Sequence, residues 1–307
     1  MKAISQRTLG GPGVLETVEV ERPRPGAREV LVRVAATSIN AADWKLRSGA
    51  ITKLGPPPFT LGLDLSGEVA EVGAEVTEFR PGDEVFGNVV SRSGANAEYT
   101  VTPAEFLATK PAGLDHIRAA ALPTAALTAW QALSEVEPGQ RVLVHAAAGG
   151  VGHLAVQIAK ARGAYVIGTA RTTNHEFLRD LGTDELIDYT TTDFTTAVRD
   201  VDLAFDLVGG DYAARSLRVL TPHGRVIDAQ GEEALDDPRY HRHYFTPSGA
   251  DLARVAELVV AGRLLAVIDR VLPLADAAAA HALGESGRVR GKIVLTSWNR
   301  SAIRPLG

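Results

Sequence analysis

Arg141-Val-Leu-Val-His-Ala-Ala-Ala-Gly-Gly-Val-Gly-His-Leu-Ala-Val-Gln-Ile-Ala-Lys160 changes its pattern twice. Val142 to Val144 is a short apolar run, Ala146 to Gly152 a burst of small residues, and Leu154, Val156, Ile158 and Ala159 repeat with the period of a helix. Ala161-Arg162-Gly163 closes the segment, with cations in the last turn and glycine at the C′ position. Strand, glycine turn and helix N-terminus, in that order, make a cradle for phosphate. The N–H groups of a first helical turn have no partner within the helix, and the helix dipole favours an anion there. Small residues are needed because a Cβ would hold a pyrophosphate away from the backbone.

The spacing is that of G-x-G-x-x-G with Ala147, Gly149 and Gly152 at its three positions. Tyr165-Val-Ile-Gly-Thr-Ala170 follows as the second strand that a βαβ unit requires. The end of that strand selects the dinucleotide. An NAD site carries Asp or Glu about 20 residues past the glycines, bonded to the ribose 2′-hydroxyl. Here Ala170-Arg171-Thr172-Thr173-Asn174 offers no carboxylate and one guanidinium. A planar cationic fork suits a 2′-phosphate, so the segment is read as an NADP(H) site with Arg171 on that phosphate.

The 307 residues suffice for two domains of ordinary size. A net charge of −5 argues against a nucleic-acid partner. No apolar run approaches the length of a membrane span, and Met1-Lys-Ala-Ile-Ser-Gln has no signal-peptide core. The absence of cysteine excludes disulfides, catalytic thiols and cysteine-based zinc sites, and fits a cytoplasmic protein.

Residues 1 to about 120 read as short strands punctuated by glycine and proline, the pattern of a partly open β-barrel. Glu29–Ile39 is a long strand. Asn40-Ala-Ala-Asp-Trp-Lys-Leu-Arg-Ser-Gly49 is a helical turn, and Leu61–Gly73 is a strand whose glycines imply close backbone approach. Beyond Leu122 strands alternate with helices: 165–170, 186–189, 202–208 and 224–229 follow the first strand, and Asn174 is placed to cap a helix running to Leu181. That alternation means a doubly wound parallel sheet, which places a dinucleotide at the switch point and Gly209-Gly210 near Gly149-Gly150. His223, His241 and His243 are read as surface or interface histidines, because no third ligand of fixed spacing joins them.

Ala146-Ala-Ala-Gly-Gly-Val-Gly152, Pro138-Gly139, Ile187-Asp-Tyr189, Val208-Gly-Gly210, Pro81-Gly-Asp-Glu-Val85, Leu127-Thr-Ala129 and Gly291-Lys-Ile-Val-Leu295 together resemble the medium-chain dehydrogenase/reductase superfamily. The resemblance is to its zinc-free branch, the quinone oxidoreductase or zeta-crystallin-like group. It covers nearly the whole chain and implies an α/β fold: a GroES-like, partly open β-barrel domain over 1–122 and 263–307, and a Rossmann NADP-binding domain over 123–262. Asn40 falls where the zinc-dependent branch has its first cysteine, Gly62-Leu63-Asp64 replaces that branch's Gly-His-Glu, and its four-cysteine lobe is missing. The implied metal set is therefore none.

By the same resemblance the protein is an NADPH-dependent oxidoreductase passing hydride to a quinone or to the activated C=C bond of an α,β-unsaturated ketone. An enoyl-thioester reductase and a non-enzymatic NADPH-binding scaffold are the alternatives. Ala148, Gly149, Gly150 and Val151 are expected on the pyrophosphate, Arg171 and Tyr189 on the 2′-phosphate, and Thr128, Val208, Gly209 and Lys292 elsewhere on the cofactor. Asn40 and Asp43 are the candidate catalytic residues. Asn40 either orients a substrate carbonyl or caps the 41–47 helix, and Asp43 has a structural alternative, bonded to backbone or arginine. Asn96 stands where an aromatic is common in the family, which argues against a tyrosine proton donor. The expected partner is a small molecule, and the resemblance implies a homodimer, for which Tyr240–Phe245 would add a strand at the sheet edge and pair with its twin; the alternative is an ordinary sixth strand with its edge covered.

Overall fold

The structure, a computed structural model, describes residues 1–230 and 234–298. The expected domain segments 123–262 and 263–307 thus fall partly outside the described residues. The chain divides into two units. One comprises Ala125–Thr246 and Ala261–Leu265, the other Met1–Thr124, Pro247–Val260 and the chain from Ala266 onward.

The Ala125–Thr246 unit is built on six strands in the order Glu185–Asp188, Tyr165–Ala170, Arg141–Val144, Val201–Asp206, Leu220–Asp228 and Tyr240–Arg242. Every neighbouring pair is parallel. Val142, Leu143, Val144, Val166, Ile167, Leu203, Phe205 and Val226 are buried, which explains why these strands read as apolar runs: helices cover both faces of a parallel sheet. Sequence order reverses between Arg141–Val144 and Val201–Asp206, so the switch point lies beside the glycine turn. Tyr240–Arg242 is an ordinary sixth strand, parallel to Leu220–Asp228.

Helix Gly152–Ala161 packs Leu154, Val156 and Ile158 into this core. A Cβ on Gly152 would stand 2.3 Å from the Ala146 carbonyl oxygen, so only glycine lets the helix start this close to the preceding loop. One local expectation fails. Asn174 makes no side-chain cap: it ends a 3₁₀ turn, Thr172–Asn174, and its N–H donates to the Arg171 carbonyl at 2.8 Å before helix His175–Asp180 begins.

The other unit holds a three-stranded sheet, Glu16–Glu19, Lys2–Gln6 and Phe59–Thr60, and a seven-stranded one. Glu29–Ser38 is the hub of the larger sheet, pairing antiparallel with Asp64–Val72, Tyr99–Pro103 and Lys292–Thr296. Gly67 marks the close approach its strand implied: a Cβ there would lie 2.1 Å from the Arg33 carbonyl oxygen, next to a register shift. Tyr99–Pro103 and Leu107–Thr109 are strands too short to be read from pattern. Helix Gly249–Val260, grouped by sequence with the dinucleotide-binding segment, belongs to this unit instead. Gly249 backs so closely on Leu107 that an added Cβ would sit 2.0 Å from its carbonyl oxygen. Among the described residues no helix is long and apolar enough to cross a membrane.

Candidate active site

In the Ala125–Thr246 unit the expected cofactor residues gather at the C-terminal ends of adjacent parallel strands. Val144 leads into Ala146–Val151, Ala170 into Arg171, Asp188 into Tyr189, and Asp206 into Val208 and Gly209. Ala146 takes a left-handed φ of 49° to turn the chain, and Ala147 packs fully buried behind it. Val151 precedes the helix without a side-chain cap. The His153 and Leu154 N–H groups donate back to the Gly149 and Val151 carbonyls at 3.1 Å, and among the described residues no backbone acceptor meets the N–H of Gly150 or Val151, which suits them to an external anion. These residues fit a dinucleotide pyrophosphate: the cradle is lined by backbone at Ala148, Gly149, Gly150 and Val151.

At the end of the second strand, Arg171 Nε donates to Tyr189 Oη at 3.0 Å, and both side chains are exposed. Asp188 stands opposite Ala170 in the parallel register, beside this corner. Its two oxygens are consumed by Thr172 and Thr190. The Thr172 hydroxyl donates to Oδ2, Thr172 N reaches it at 2.8 Å, and Thr190 Oγ1 and N reach Oδ1 at 2.6 and 2.9 Å. Those bonds, led by the Thr172 hydroxyl, hold the carboxyl well below its ordinary range. An acceptor so occupied braces the loop and leaves Arg171 and Tyr189 as the groups offered to a ligand.

On the other side of the switch point, Asp206 was not anticipated from sequence. It is fully buried, and Oδ1 accepts from Val208 N at 2.8 Å and Gly209 N at 3.0 Å, pinning the turn where Gly209 adopts φ 85°. Burial, with Asp228 adding repulsion, pushes its carboxyl up to about 6. The available signal was an Asp two and three residues ahead of backbone donors at a strand end, an Asx turn. Thr128 lies in helix Pro123–Ala132, its carbonyl accepting from His243 Nε2 at 3.1 Å. His145 sits beneath this site with its ring edge-on to Phe194 and Tyr212, and burial holds it down at about 3.

In the Met1–Thr124 unit, Asn40, Asp43 and Lys292 come together. Asn40 precedes helix Ala41–Ser48, and Asp43 Oδ2 accepts from Asn40 N at 2.9 Å while Oδ1 accepts from Gly62 N at 3.1 Å. Asp43 is therefore wholly buried and bonded to backbone, the structural alternative stated above. Asn40 also exceeds its capping position. Its Nδ2 donates to Asp64 Oδ2 at 2.7 Å, and its Oδ1 accepts from Lys292 Nζ at 2.5 Å. Asp64 takes further bonds from Ser38 Oγ at 2.5 Å and Thr124 N at 2.7 Å. Lys292, expected on the cofactor, is 3% exposed and commits its ammonium within this cluster, donating also to the Ile39 carbonyl at 3.0 Å. Asn96 is completely buried, and neither side-chain polar atom has a hydrogen-bond partner among the described residues.

Burial pushes Asp43 from 3.8 up to about 7. Its folded form therefore binds a proton that the unfolded chain has lost, and its contribution to stability is complete below about pH 3.8 and lost as pH rises to about 7. His145 and His281, both held down at about 3 by burial, work in the opposite direction. The comparison with Asp43→Asn isolates the acid. The variant should gain stability relative to wild type as pH rises across that window, read from urea midpoints, and a constant difference would refute the assignment.

The two kinds of unit, a parallel sheet with a glycine turn at its switch point and a mostly antiparallel unit with a buried polar cluster, define a medium-chain dehydrogenase/reductase. Residues 26–112 match the alcohol dehydrogenase GroES-like domain family, and residues 181–295 the zinc-binding dehydrogenase family. A chloroplastic quinone-oxidoreductase of Triphysaria versicolor is 33% identical, the alignment covering 93% of this chain and 95% of that protein. A chloroplastic NADPH-dependent alkenal/one oxidoreductase of Arabidopsis thaliana is also 33% identical, over 96% of this chain and 79% of its own length. The solved quinone oxidoreductase of Coxiella burnetii superposes with a TM-score of 0.92 at 38% identity, covering 96% of this chain and 99% of that one. The chain belongs to the quinone oxidoreductase-type family of the medium-chain dehydrogenase/reductase superfamily.

One matched family is described as zinc-binding, but the donor set here does not suit zinc. The chain has no cysteine, and among the described residues no group of three or more His, Asp or Glu is placed to hold a metal ion. The oxygens of Asn40 and Asp64 already face the ammonium of Lys292, at 2.5 and 3.6 Å.

Proposed function

We propose that this chain is an NADPH-dependent oxidoreductase that passes a hydride, without zinc, to a quinone or to the C=C bond of an α,β-unsaturated ketone. The observation that carries the cofactor choice is the exposed Arg171–Tyr189 pair beside an Asp188 whose acceptor sites are filled. A 2′-phosphate is matched by that pair, whereas a 2′-hydroxyl would need a carboxylate with a lone pair to spare. When bound, NADPH supplies the hydride. The backbone of Ala148–Val151 would hold the pyrophosphate, and Asp206, which pins the Val208–Gly209 turn, would keep that turn in place for the nicotinamide half. Asn40 presents an uncharged N–H to the substrate oxygen on which charge develops. Asp43 supports Asn40 from behind, and water returns the proton.

The substrate class rests on the relatives' names and on the lack of a metal donor set. The test is NADPH consumption, followed by loss of reduced-nicotinamide absorbance, across quinones, free enones and their thioester counterparts. Turnover of quinone or free enone is expected. Consumption only with thioesters would move the assignment to an enoyl-thioester reductase, and none with any acceptor would point to a binding protein. We propose a homodimer through the outer edge of Tyr240–Arg242; light scattering should give twice the chain mass.

A further inference from the structure

The Asn40 side chain is held between two groups of opposite chemistry. On one side is an ammonium: Lys292 Nζ donates to Asn40 Oδ1 at 2.5 Å. On the other is a carboxylate: Asp64 Oδ2 accepts from Asn40 Nδ2 at 2.7 Å. A primary amide has two nearly isosteric orientations, and ordinarily its environment only favours one. Here an ammonium can only donate and a carboxylate can only accept, so the flipped amide would lose both bonds inside a buried cluster. Nδ2 keeps a second hydrogen that no bond in the cluster uses. Asn40 is 8% exposed, against 3% for Lys292 and 0% for Asp64. What the side-chain amide has left to offer a ligand is therefore a donor and not its carbonyl oxygen, which Lys292 occupies.

The charge does more than orient. A cation on the amide oxygen draws electron density through the O–C–N system and makes the free N–H a stronger donor, the cooperative effect of a hydrogen-bonded chain in a low-dielectric setting. The three N–H bonds of Lys292 face the Ile39 carbonyl at 3.0 Å, Asn40 Oδ1 at 2.5 Å and Asp64 Oδ2 at 3.6 Å.

We infer that Lys292 is a positioning residue that polarises the Asn40 amide, whose orientation it locks together with Asp64, so that the Asn40 N–H receives the carbonyl oxygen of the substrate. The inference rests on the proposed function and deepens it. A hydride, released by breaking a C–H bond of the reduced nicotinamide and leaving it oxidised, adds to the β-carbon to make a new C–H bond. The C=C pair moves toward the carbonyl carbon, and the C=O pair moves onto oxygen, where the Asn40 N–H meets it. A proton from water then reaches the α-carbon. The substrate must therefore offer an acceptor at that position, so quinones and enones fit and an alcohol donor does not.

The experiment compares kcat and KM for one enone in the wild type, Lys292→Met, and the double variant Lys292→Met/Asp64→Asn. The double variant removes both charges together, so that no uncompensated ion confounds folding. Both variants should lose kcat by about 10- to 100-fold, less than the 10²–10³ lost when an oxyanion donor is deleted outright, with KM for NADPH unchanged. If the double variant folds and recovers wild-type kcat, Lys292 only neutralises Asp64 and the inference is overturned. A wild type that consumes no NADPH with any acceptor overturns the proposed function and this inference with it. An active wild type beside an equally active double variant overturns the inference alone.

Discussion

Arg171→Ala raises the KM for NADPH by about tenfold or more and leaves that for NADH nearly unchanged, because the lost interaction is a charge-assisted bond to a group only NADPH carries. Arg171 lies on the surface and supports no core, so the fold should be unaffected and the effect confined to cofactor choice. Tyr189→Phe should produce a smaller shift in the same direction, since it removes the hydroxyl that accepts from Arg171 Nε at 3.0 Å and leaves the cation. The measurement is steady-state kinetics with both cofactors at a fixed acceptor concentration. Equal losses with NADPH and NADH would show that Arg171 does not read the 2′-phosphate.

Asp64→Ala is expected to cost about 3–5 kcal/mol of stability, the penalty for leaving a buried charge without its partner. The partner is Lys292, 3% exposed, and the same change strips acceptors from Ser38 Oγ, Asn40 Nδ2 and Thr124 N. Desolvation already lowers the pKa of the Lys292 ammonium, with Asp64 the first of the charges opposing it. Adding Lys292→Met to Asp64→Ala should recover much of the loss, since no unpaired ion then remains. Urea denaturation with a constant slope reads the effect. A single variant as stable as wild type would mean that water or another group compensates Lys292.

The strand, glycine turn and helix between Arg141 and Ala161 were legible in the sequence because their parts are contiguous. Apolar run, small-residue turn and periodic helix follow one another between Arg141 and Lys160, and each records a local constraint on backbone or packing. The alternation of strands and helices after Leu122 gave the parallel sheet for the same reason. Arg171 was identifiable from its distance along the chain.

The buried polar cluster was not legible in that way. Asn40 and Lys292 lie 252 positions apart and meet because Lys292–Thr296 pairs antiparallel with Glu29–Ser38. Asp188 reaches the Arg171 corner through the parallel register that sets it against Ala170, and only its hydrogen bonds show that it braces the loop. Helix Gly249–Val260 follows a helical pattern in either unit, and its close backbone approach at Leu107 decides which one it joins. By itself, then, the sequence determined the βαβ unit with its small-residue turn and the class of fold, since those depend on neighbours in the chain. The tertiary structure decided the state of each buried polar group, because the cost of burying a charge or amide depends on partners that only pairing of distant strands brings within reach.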